Sequence, residues 1–328
     1  MINGKIKKHS FSIVFSLSLF LILCILSGYR VGGHDYDNYI DMITFTQYGE
    51  SLFSKVLLAK DPAFGFIVGL INPESKENYG QVFLTISFIA FFCKIFFVQH
   101  LPRCFIFTFL YILLFAPGLD FAAMRAMLGI MLLLVAFASM NKDRKKLFYF
   151  FSVLSVLSHV SMLLPLFLSA GFIKRIYDLN KTLVCFILFL FAAFMKPILS
   201  LFSSTAGYIE VSGSIFAFIP IFLSFISLLF LGCVVSASKQ SIFCERSYRT
   251  ALLIMCMSLG FAFQVVVASS RFMQIAQVLF LVTFCSVRFR KSLINIIFLF
   301  ISILFFLIPI IYQNVDFDLW RSAWASIQ

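Results

Sequence analysis

The sequence predicts an all-α protein whose helices cross a membrane many times, and three observations support this fold class. Hydrophobic residues make up 62% of the 328 residues and charged residues only 12%, far less charge than a soluble domain exposes. Long apolar stretches recur from near residue 10 to residue 312, and a helix needs about 20 such residues to cross a bilayer. Apolar and polar residues do not alternate along these stretches, as they would in a membrane barrel. We expect one integral membrane domain over residues 1–328.

The apolar segments predict about ten to eleven membrane helices, including one pair that re-enters the membrane. The basic start "MINGKIKKHS" precedes the first segment, which we interpret as an uncleaved span because no convincing small-residue cleavage pattern follows. Pro117-Gly118 divides the run 104–140, which is too long for one crossing. The expected segments are 10–29, 79–98, 101–116, 121–140, 147–158, 160–173, 182–202, 214–236, 250–269, 271–287 and 292–312.

The positions of Lys and Arg favour a re-entrant helix pair at 147–173 over one long helix. Basic residues flank both ends of this segment, and the two short helices would meet at Ser158-His159. If both flanks face the cytoplasm, the basic residues of the later loops also fall inside, whereas 203–213 contains no Lys or Arg. A single crossing would invert all of those loops, so the hairpin is the preferred interpretation, with the N-terminus in the cytoplasm.

Two hydrophilic stretches are then predicted to face the periplasm. The first, 30–78, is the only long hydrophilic loop, and it carries seven acidic residues. Within it, 51–58 places apolar residues on one helical face, which predicts a short interfacial helix. The second is the tail 313–328, where Trp320 and Trp324 stand four residues apart and are interpreted as an interfacial aromatic anchor.

Charge and cysteine usage exclude several classes of function. The net charge of +12 could suggest nucleic acid, but the basic residues sit in short clusters between spans, as orientation signals do. The eight cysteines lie in or beside apolar spans and form no Cys-x-x-Cys pair, so neither a zinc site nor a disulfide framework is indicated. We expect no metal and no cofactor.

Several polar residues are predicted to meet near the outer ends of separate spans. They are Arg30, Arg125, His159, Lys196 and Arg271, the last at an expected turn between two helices. Each has a structural alternative: a cation can extend to lipid headgroups, and Asp120 is a ready partner for Arg125. Their convergence favours a site, because buried cations from separate helices repel one another unless an anion joins them. A loop carboxylate could be that anion. A ligand phosphate fits as well, since guanidinium groups match phosphate geometry.

This chemistry suggests that the ligand is the head group of a polyprenyl diphosphate. A diphosphate leaving group needs cations where negative charge develops, and its lipid tail would need an apolar groove between helices. Breaking a glycosyl–phosphate bond also needs a base for the incoming hydroxyl, for which His159, Asp35 and Asp61 are candidates.

Five short elements follow one another in an order that is known from one family. They are Asp35-Tyr36-Asp37-Asn38-Tyr39, Asp61-Pro62-Ala63-Phe64, Arg125-Ala126-Met127-Leu128-Gly129, His159-Val160-Ser161 after a basic loop, and Arg271. In these elements, which cover residues 30 to about 280, the sequence resembles the EpsG-like, Wzy-type polymerases of bacterial surface polysaccharides. It departs from the family in two places: Asp61 stands where Glu usually precedes the proline, and Ala126 stands where Gln usually follows the arginine.

The resemblance implies an enzyme of the bacterial inner membrane that joins oligosaccharide repeat units at the periplasmic face. The units are carried on undecaprenyl diphosphate, and a chain-length regulator and a flippase would be its protein partners. The implied catalytic residues are Arg125 and Arg271 on the diphosphate, His159 on the acceptor hydroxyl or on phosphate, and Asp35 on sugar. The implied substrate-binding residues are Arg30, Tyr36, Tyr39, Asp61 and Lys196.

Two other classes of membrane protein remain open at this point. A membrane O-acyltransferase that decorates glycans would also be polytopic, but its histidine should be reachable from the cytoplasmic side. A flippase for lipid-linked oligosaccharide would need a large cationic cavity and usually two related halves, and no internal repeat is visible in this chain.

Overall fold

A computed structural model describes residues 2–32, 35–59, 61–73, 75–140, 144–199, 215–290 and 292–314. Within those ranges every regular element is a helix and there is no strand, so the predicted all-α class is confirmed. The predicted loop 203–213, and the tail from residue 315 with its two tryptophans, lie outside these ranges. The chain divides into two compact units: unit 1 is Met1–Leu163 with Asn314–Gln328, and unit 2 is Leu164–Gln313.

The described part of the chain contains five helices that are long and apolar enough to cross a membrane. They are Ser10–Gly28, Gly80–Val98, Phe218–Ser236, Val266–Ser286 and Leu293–Ile311. A sixth span results if Val160–Ser169 and Gly171–Leu179, bent by 54° at their junction, are counted as one. The chain is therefore a multi-pass membrane protein, with fewer full-length spans than the segments predicted. The predicted segment 121–140 forms a helix of only 17 residues, and the helix Ile242–Phe261 carries three charged residues in its first half.

Unit 1 contains nine α-helices among its described residues. They are α1 (Ile2–Gly28), α2 (Tyr36–Gln47), α3 (Leu52–Leu58), α4 (Pro62–Ile71), α5 (Gly80–Val98), α6 (Cys104–Leu114), α7 (Ala116–Leu119), α8 (Met124–Met140) and α9 (Lys145–Ser158). Short 3₁₀ turns lie at Lys76–Tyr79 and Val160–Met162. Pro117 and Gly118 lie in the one-turn helix α7, which separates α6 from α8, so the run 104–140 is divided as the sequence predicts.

Small polar and glycine residues set the directions of the helices around α1. Ser27 donates to Ser87 (2.9 Å), and the Gly28 backbone lies close against Leu84, so α1 and α5 run antiparallel. Thr108 donates to Ser16 (2.9 Å), and Tyr111 packs edge-on against Phe20 further along, so α6 runs parallel to α1. Helices α1, α5 and α6 therefore alternate in direction, as the positive-inside prediction assumes.

The predicted loop 30–78 is mostly helical. The predicted helix at 51–58 is present as α3, where Ser51 and Ser54 form a capping box at its start. Pro62 lies in the first turn of α4, a position where its fixed φ and its missing N–H cost nothing. The preceding residue, Asp61, is held in an extended conformation by the proline (φ −120°, ψ 117°). Gly65 of α4 lets its backbone approach α3 closely.

Helices α8 and α9 pack antiparallel through a glycine contact that sets the position of His159. The Ser155 hydroxyl donates to the Gly129 carbonyl (2.7 Å). A Cβ at Gly129 would lie 2.9 Å from Met162 Cγ and 3.2 Å from His159 Cβ. The end of α9, where His159 follows the last helical residue, is therefore held next to the start of α8.

Unit 2 contains eight α-helices among its described residues. They are α10 (Leu163–Ser169), whose first residue belongs to unit 1, α11 (Gly171–Leu179), α12 (Lys181–Ala193), α13 (Lys196–Leu199), α14 (Ile215–Ser236), α15 (Ile242–Phe261), α16 (Val266–Ser286) and α17 (Leu293–Asn314). The helices found for the predicted segments 250–269 and 271–287 begin earlier in the chain than predicted. The reason is that the turn between α15 and α16 falls at 262–265 and not near 270.

Helices α12 and α15 of unit 2 run in the same direction. A Cβ at Gly260 would lie 2.4 Å from the Phe189 carbonyl oxygen, and further along the Lys196 N–H donates to Gln264 Oε1 (3.3 Å). Helix α16 returns antiparallel to α15, because Ser258 and Ser269 exchange hydrogen bonds next to the turn. The starts of α12 and α15 and the end of α16, which carry basic residues, therefore share one end of unit 2.

Candidate functional site

Unit 1 brings five polar side chains together from five separate elements. Arg30 follows α1, Tyr39 lies on α2, Asp61 precedes α4, Arg125 lies at the start of α8, and His159 follows α9. The sequence predicts each of them as a site residue, and their interactions with one another and with shared neighbours define the candidate site.

Asp61 is the centre of the site. Its side chain is almost fully buried, and Oδ2 accepts a hydrogen bond from Arg125 Nη1 in a salt bridge. His159 Nδ1 lies 3.5 Å from the same oxygen, which is within ion-pair range but too long for a well-formed hydrogen bond. One carboxylate oxygen therefore faces two donors and is fully engaged by only one of them.

The environment of Asp61 favours its ionised form. Burial alone would raise the pKa of this carboxyl, but the neighbouring His159 and the charge of Arg125 together lower the pKa below its usual value. The start of α4 adds a favourable dipole for a negative charge at this position. Asp61 is consequently a carboxylate at neutral pH.

Tyr39 is the aromatic residue that both arginines contact. Its side chain is buried, and its hydroxyl accepts a hydrogen bond from the Arg125 backbone N–H (3.2 Å). The guanidinium carbons of Arg125 and Arg30 lie 5.3 Å and 5.4 Å from the centre of the Tyr39 ring. Arg30 also lies over Phe83 at 5.2 Å, and these distances suit cation–π attraction.

Arg30 is a buried cation that lies against aromatic rings. Only 3% of the residue is exposed, and none of its three guanidinium nitrogens has a hydrogen-bond partner among the described residues. Burial lowers its pKa below the usual arginine value. Arg125 Nε also has no partner in the described ranges. Since buried polar groups are normally hydrogen-bonded, this part of the site has hydrogen-bond donors in excess, although the charge of Asp35 also acts on Arg30.

Asp120 does not pair with Arg125, contrary to the structural alternative that the sequence offered. It pairs with Lys94 of α5 and accepts a hydrogen bond from the Tyr111 hydroxyl (2.8 Å), and all three residues are buried. Proximity in the sequence suggested that Asp120 pairs with Arg125, whereas the observed pair of Lys94 and Asp120 joins residues 26 positions apart. Lys94 was missed, although a lone lysine within an apolar span is as conspicuous as Arg125.

Of the remaining predicted site residues, Asp35 and Tyr36 lie close enough to Arg30 to act on its charge. Asp35 and Tyr36 are half-buried at the start of α2, where the Tyr36 ring packs against Phe83 at 5.6 Å. Lys196 and Arg271 belong to unit 2; the Lys196 side chain is exposed at the start of α13. Arg271 lies inside α16 and not at the predicted turn, because that turn ends at residue 265. The described ranges hold no group of His, Cys, Asp and Glu that could bind a metal ion.

Comparison with known proteins gives one match. A family model described as the EpsG family matches residues 13–324, which is nearly the whole chain and includes all nine predicted site residues. No curated protein and no solved structure matches the chain.

Proposed function

Because the chain belongs to the EpsG family, we propose that it is a polymerase that transfers a growing glycan from undecaprenyl diphosphate to an incoming lipid-linked repeat unit. Membership of the family indicates a glycosyltransferase-like role in polysaccharide synthesis. The proposal adds the donor, the acceptor hydroxyl and a site on the periplasmic side of the bacterial inner membrane.

The observation that carries the proposal is the set of guanidinium donors beside Tyr39 that have no hydrogen-bond partner among the described residues. Arg30 and Arg125 are both largely buried, and Asp61 is the carboxylate that pairs with one of them. A diphosphate would supply an anion for these guanidinium groups, and their forked donors suit its oxygens.

The proposed reaction assigns each step to a side chain. The acceptor hydroxyl oxygen attacks the anomeric carbon of the donor glycan and gives its proton to His159. The bond from that carbon to the diphosphate oxygen breaks, and the electron pair leaves with the diphosphate. Arg125 stabilises the charge that develops there, and Arg30 holds the bound diphosphate. Asp35 and Tyr36 contact sugar, while Tyr39 supports the arginines.

Replacement of Arg125 tests the proposal. In a strain deleted for this chain, gel display of surface glycan should show one repeat unit and no ladder, and the wild-type gene should restore the ladder. Arg125→Ala should fail to restore it, and Arg125→Lys should restore little, because lysine lacks the planar fork. Arg175→Ala, which removes an exposed arginine of α11, is the matched control and should restore the ladder fully.

Two outcomes would contradict the proposal. Normal chain lengths with Arg125→Ala would remove the assignment of this residue. A ladder that persists in the deletion strain but loses an acyl group would indicate an O-acyltransferase instead of a polymerase.

A further inference from the structure

Asp61 stands between two groups that compete for it. Its Oδ2 is bound to Arg125 Nη1, while His159 Nδ1 lies 3.5 Å away and has no hydrogen-bond partner among the residues described. A charge-assisted hydrogen bond needs about 2.8 Å, so a movement of less than about 1 Å would complete the second contact. The histidine is close to an orienting carboxylate without being held by it.

An anion in the site would change this competition. In the part of the chain that the structure describes, the three guanidinium nitrogens of Arg30 and the Nε of Arg125 have no partner, so both residues present donors beside Tyr39. A diphosphate bound there draws the Arg125 charge away from Asp61, because it carries more negative charge than one carboxylate. It also repels the Asp61 carboxylate. The donors left within reach of that carboxylate are His159 Nδ1 and the Val160 backbone N–H, of which only the first belongs to a side chain.

From this geometry we infer that Asp61 is a switch that couples diphosphate binding to activation of His159. In the empty site Asp61 neutralises Arg125. In the occupied site the diphosphate takes Arg125, and Asp61 accepts the Nδ1–H of His159. The inference rests on the proposed function and deepens it, since it makes Asp61 a positioning residue and not a ligand of the substrate.

In the occupied site, His159 can accept the proton that the proposed reaction transfers. With the proton fixed on Nδ1, the lone pair of His159 Nε2 is free to accept the proton of the acceptor hydroxyl. The resulting imidazolium is stabilised by the Asp61 carboxylate, as in other Asp–His pairs. Without a bound diphosphate the imidazole is not held in this tautomer, so the acceptor is not activated when there is no donor to attack.

Pyrophosphate binding and turnover, measured on the same variants, test the coupling. We compare the purified full chain with Asp61→Asn, and use Asp41→Asn, which removes an exposed carboxylate of α2, as the matched control. Calorimetry gives the Kd of inorganic pyrophosphate. Turnover is measured with lipid-linked repeat unit extracted from the deletion strain.

Asp61→Asn should bind pyrophosphate more tightly, by about tenfold, because no carboxylate then competes for Arg125. Its kcat should fall on the order of 10²-fold, because His159 loses its orienting carboxylate. Asp61→Glu should regain most of the kcat, and Asp41→Asn should change neither quantity. Weaker pyrophosphate binding together with lost turnover would indicate that Asp61 has a merely structural role. Tighter binding with an unchanged kcat would show that Asp61 does not act on His159. Either result overturns the inference.

Nitrogen NMR of the histidine rings keeps the test independent of any Asp61 variant. The chain has four histidines, and His159→Gln identifies the signals of His159. Addition of pyrophosphate to the wild-type protein should move the His159 Nδ1 signal to that of a hydrogen-bonded N–H. Unchanged His159 signals at saturating pyrophosphate would overturn the coupling. If the signals move but the wild-type protein does not elongate the lipid-linked unit, the polymerase proposal fails and the coupling stands.

Discussion

Two buried cations of unit 1 are accommodated in different ways. Lys94 has a carboxylate partner in Asp120 and lies 5.1 Å from the centre of the Tyr111 ring, so its charge is balanced within the protein. Arg30 has two aromatic faces and no hydrogen-bonded carboxylate in the described residues. Since a buried cation without a hydrogen-bonded anion is costly, the first arrangement is expected to serve stability and the second to serve ligand binding.

Removal of Asp120 should therefore affect folding more than the site. Asp120→Ala leaves Lys94 buried without a partner, and breaking such a pair costs about 3–5 kcal/mol of stability. The double variant Lys94→Met/Asp120→Leu removes both charges and should be much less destabilised. Thermal unfolding in detergent measures the difference, and equal unfolding temperatures for the two variants would contradict this account.

At the scale of helices, the position of His159 depends on how closely α9 approaches α8. Gly129 lies one turn after Arg125, so the helix that carries the arginine also provides the surface against which the end of α9 packs. The hydrogen bond from Ser155 to the Gly129 carbonyl fixes the same contact from the other side. The contact at Gly129 thus sets the distance between the Arg125 guanidinium and the His159 imidazole.

Gly129→Ala should lower polymerisation without unfolding the protein. The added methyl would press on Met162 Cγ, which can move, and on His159 Cβ at 3.2 Å, which can give only by displacing the end of α9. A displacement of a few tenths of an ångström should reduce turnover about tenfold, because catalysis is sensitive to small misplacements. Gly80→Ala is the control, since a methyl there meets nothing within 4 Å. Shorter glycan ladders with Gly80→Ala as well would contradict the explanation.

At the scale of the whole molecule, helix directions constrain how the chain threads through the membrane. In unit 1, α1 and α6 run one way and α5 the other; in unit 2, α12 and α15 run one way and α16 the other. These directions are internal to each unit. They require the basic segments that begin α12 and α15 to be on the same side, as the re-entrant interpretation of 147–173 does.

Reporter fusions test this threading. A reporter that is active only in the periplasm should be silent when fused after residue 178 or after residue 240, and active after residue 59 in the predicted outer loop. The expectation follows from the basic residues that flank 147–173 on both sides. Activity after residue 178 would mean a single crossing of 147–173 and an inverted second half.

The sequence predicts the helical class, most helix positions and the residues that meet in unit 1, because hydropathy and isolated charges in apolar segments are local signals. It does not predict which acid pairs with which base. Asp120 is five residues from Arg125 but binds Lys94, and Asp61 reaches Arg125 across 64 residues, since packing of distant helices decides these contacts. Arg271 was placed at a turn because the sequence between α15 and α16 has no proline to mark the break.

The parallel pairing of α12 and α15 imposes an order on biosynthesis. Helix α12 leaves the ribosome before its neighbour exists, and the chain has to return through α14 before α15 can be inserted beside it. Until then, α15 is absent, and the Phe189 carbonyl lacks the Gly260 backbone that later packs against it. A nascent chain stopped before residue 242 would thus present an incomplete helix surface to lipid or to an insertion chaperone, and unit 2 can close only after translation has passed residue 261.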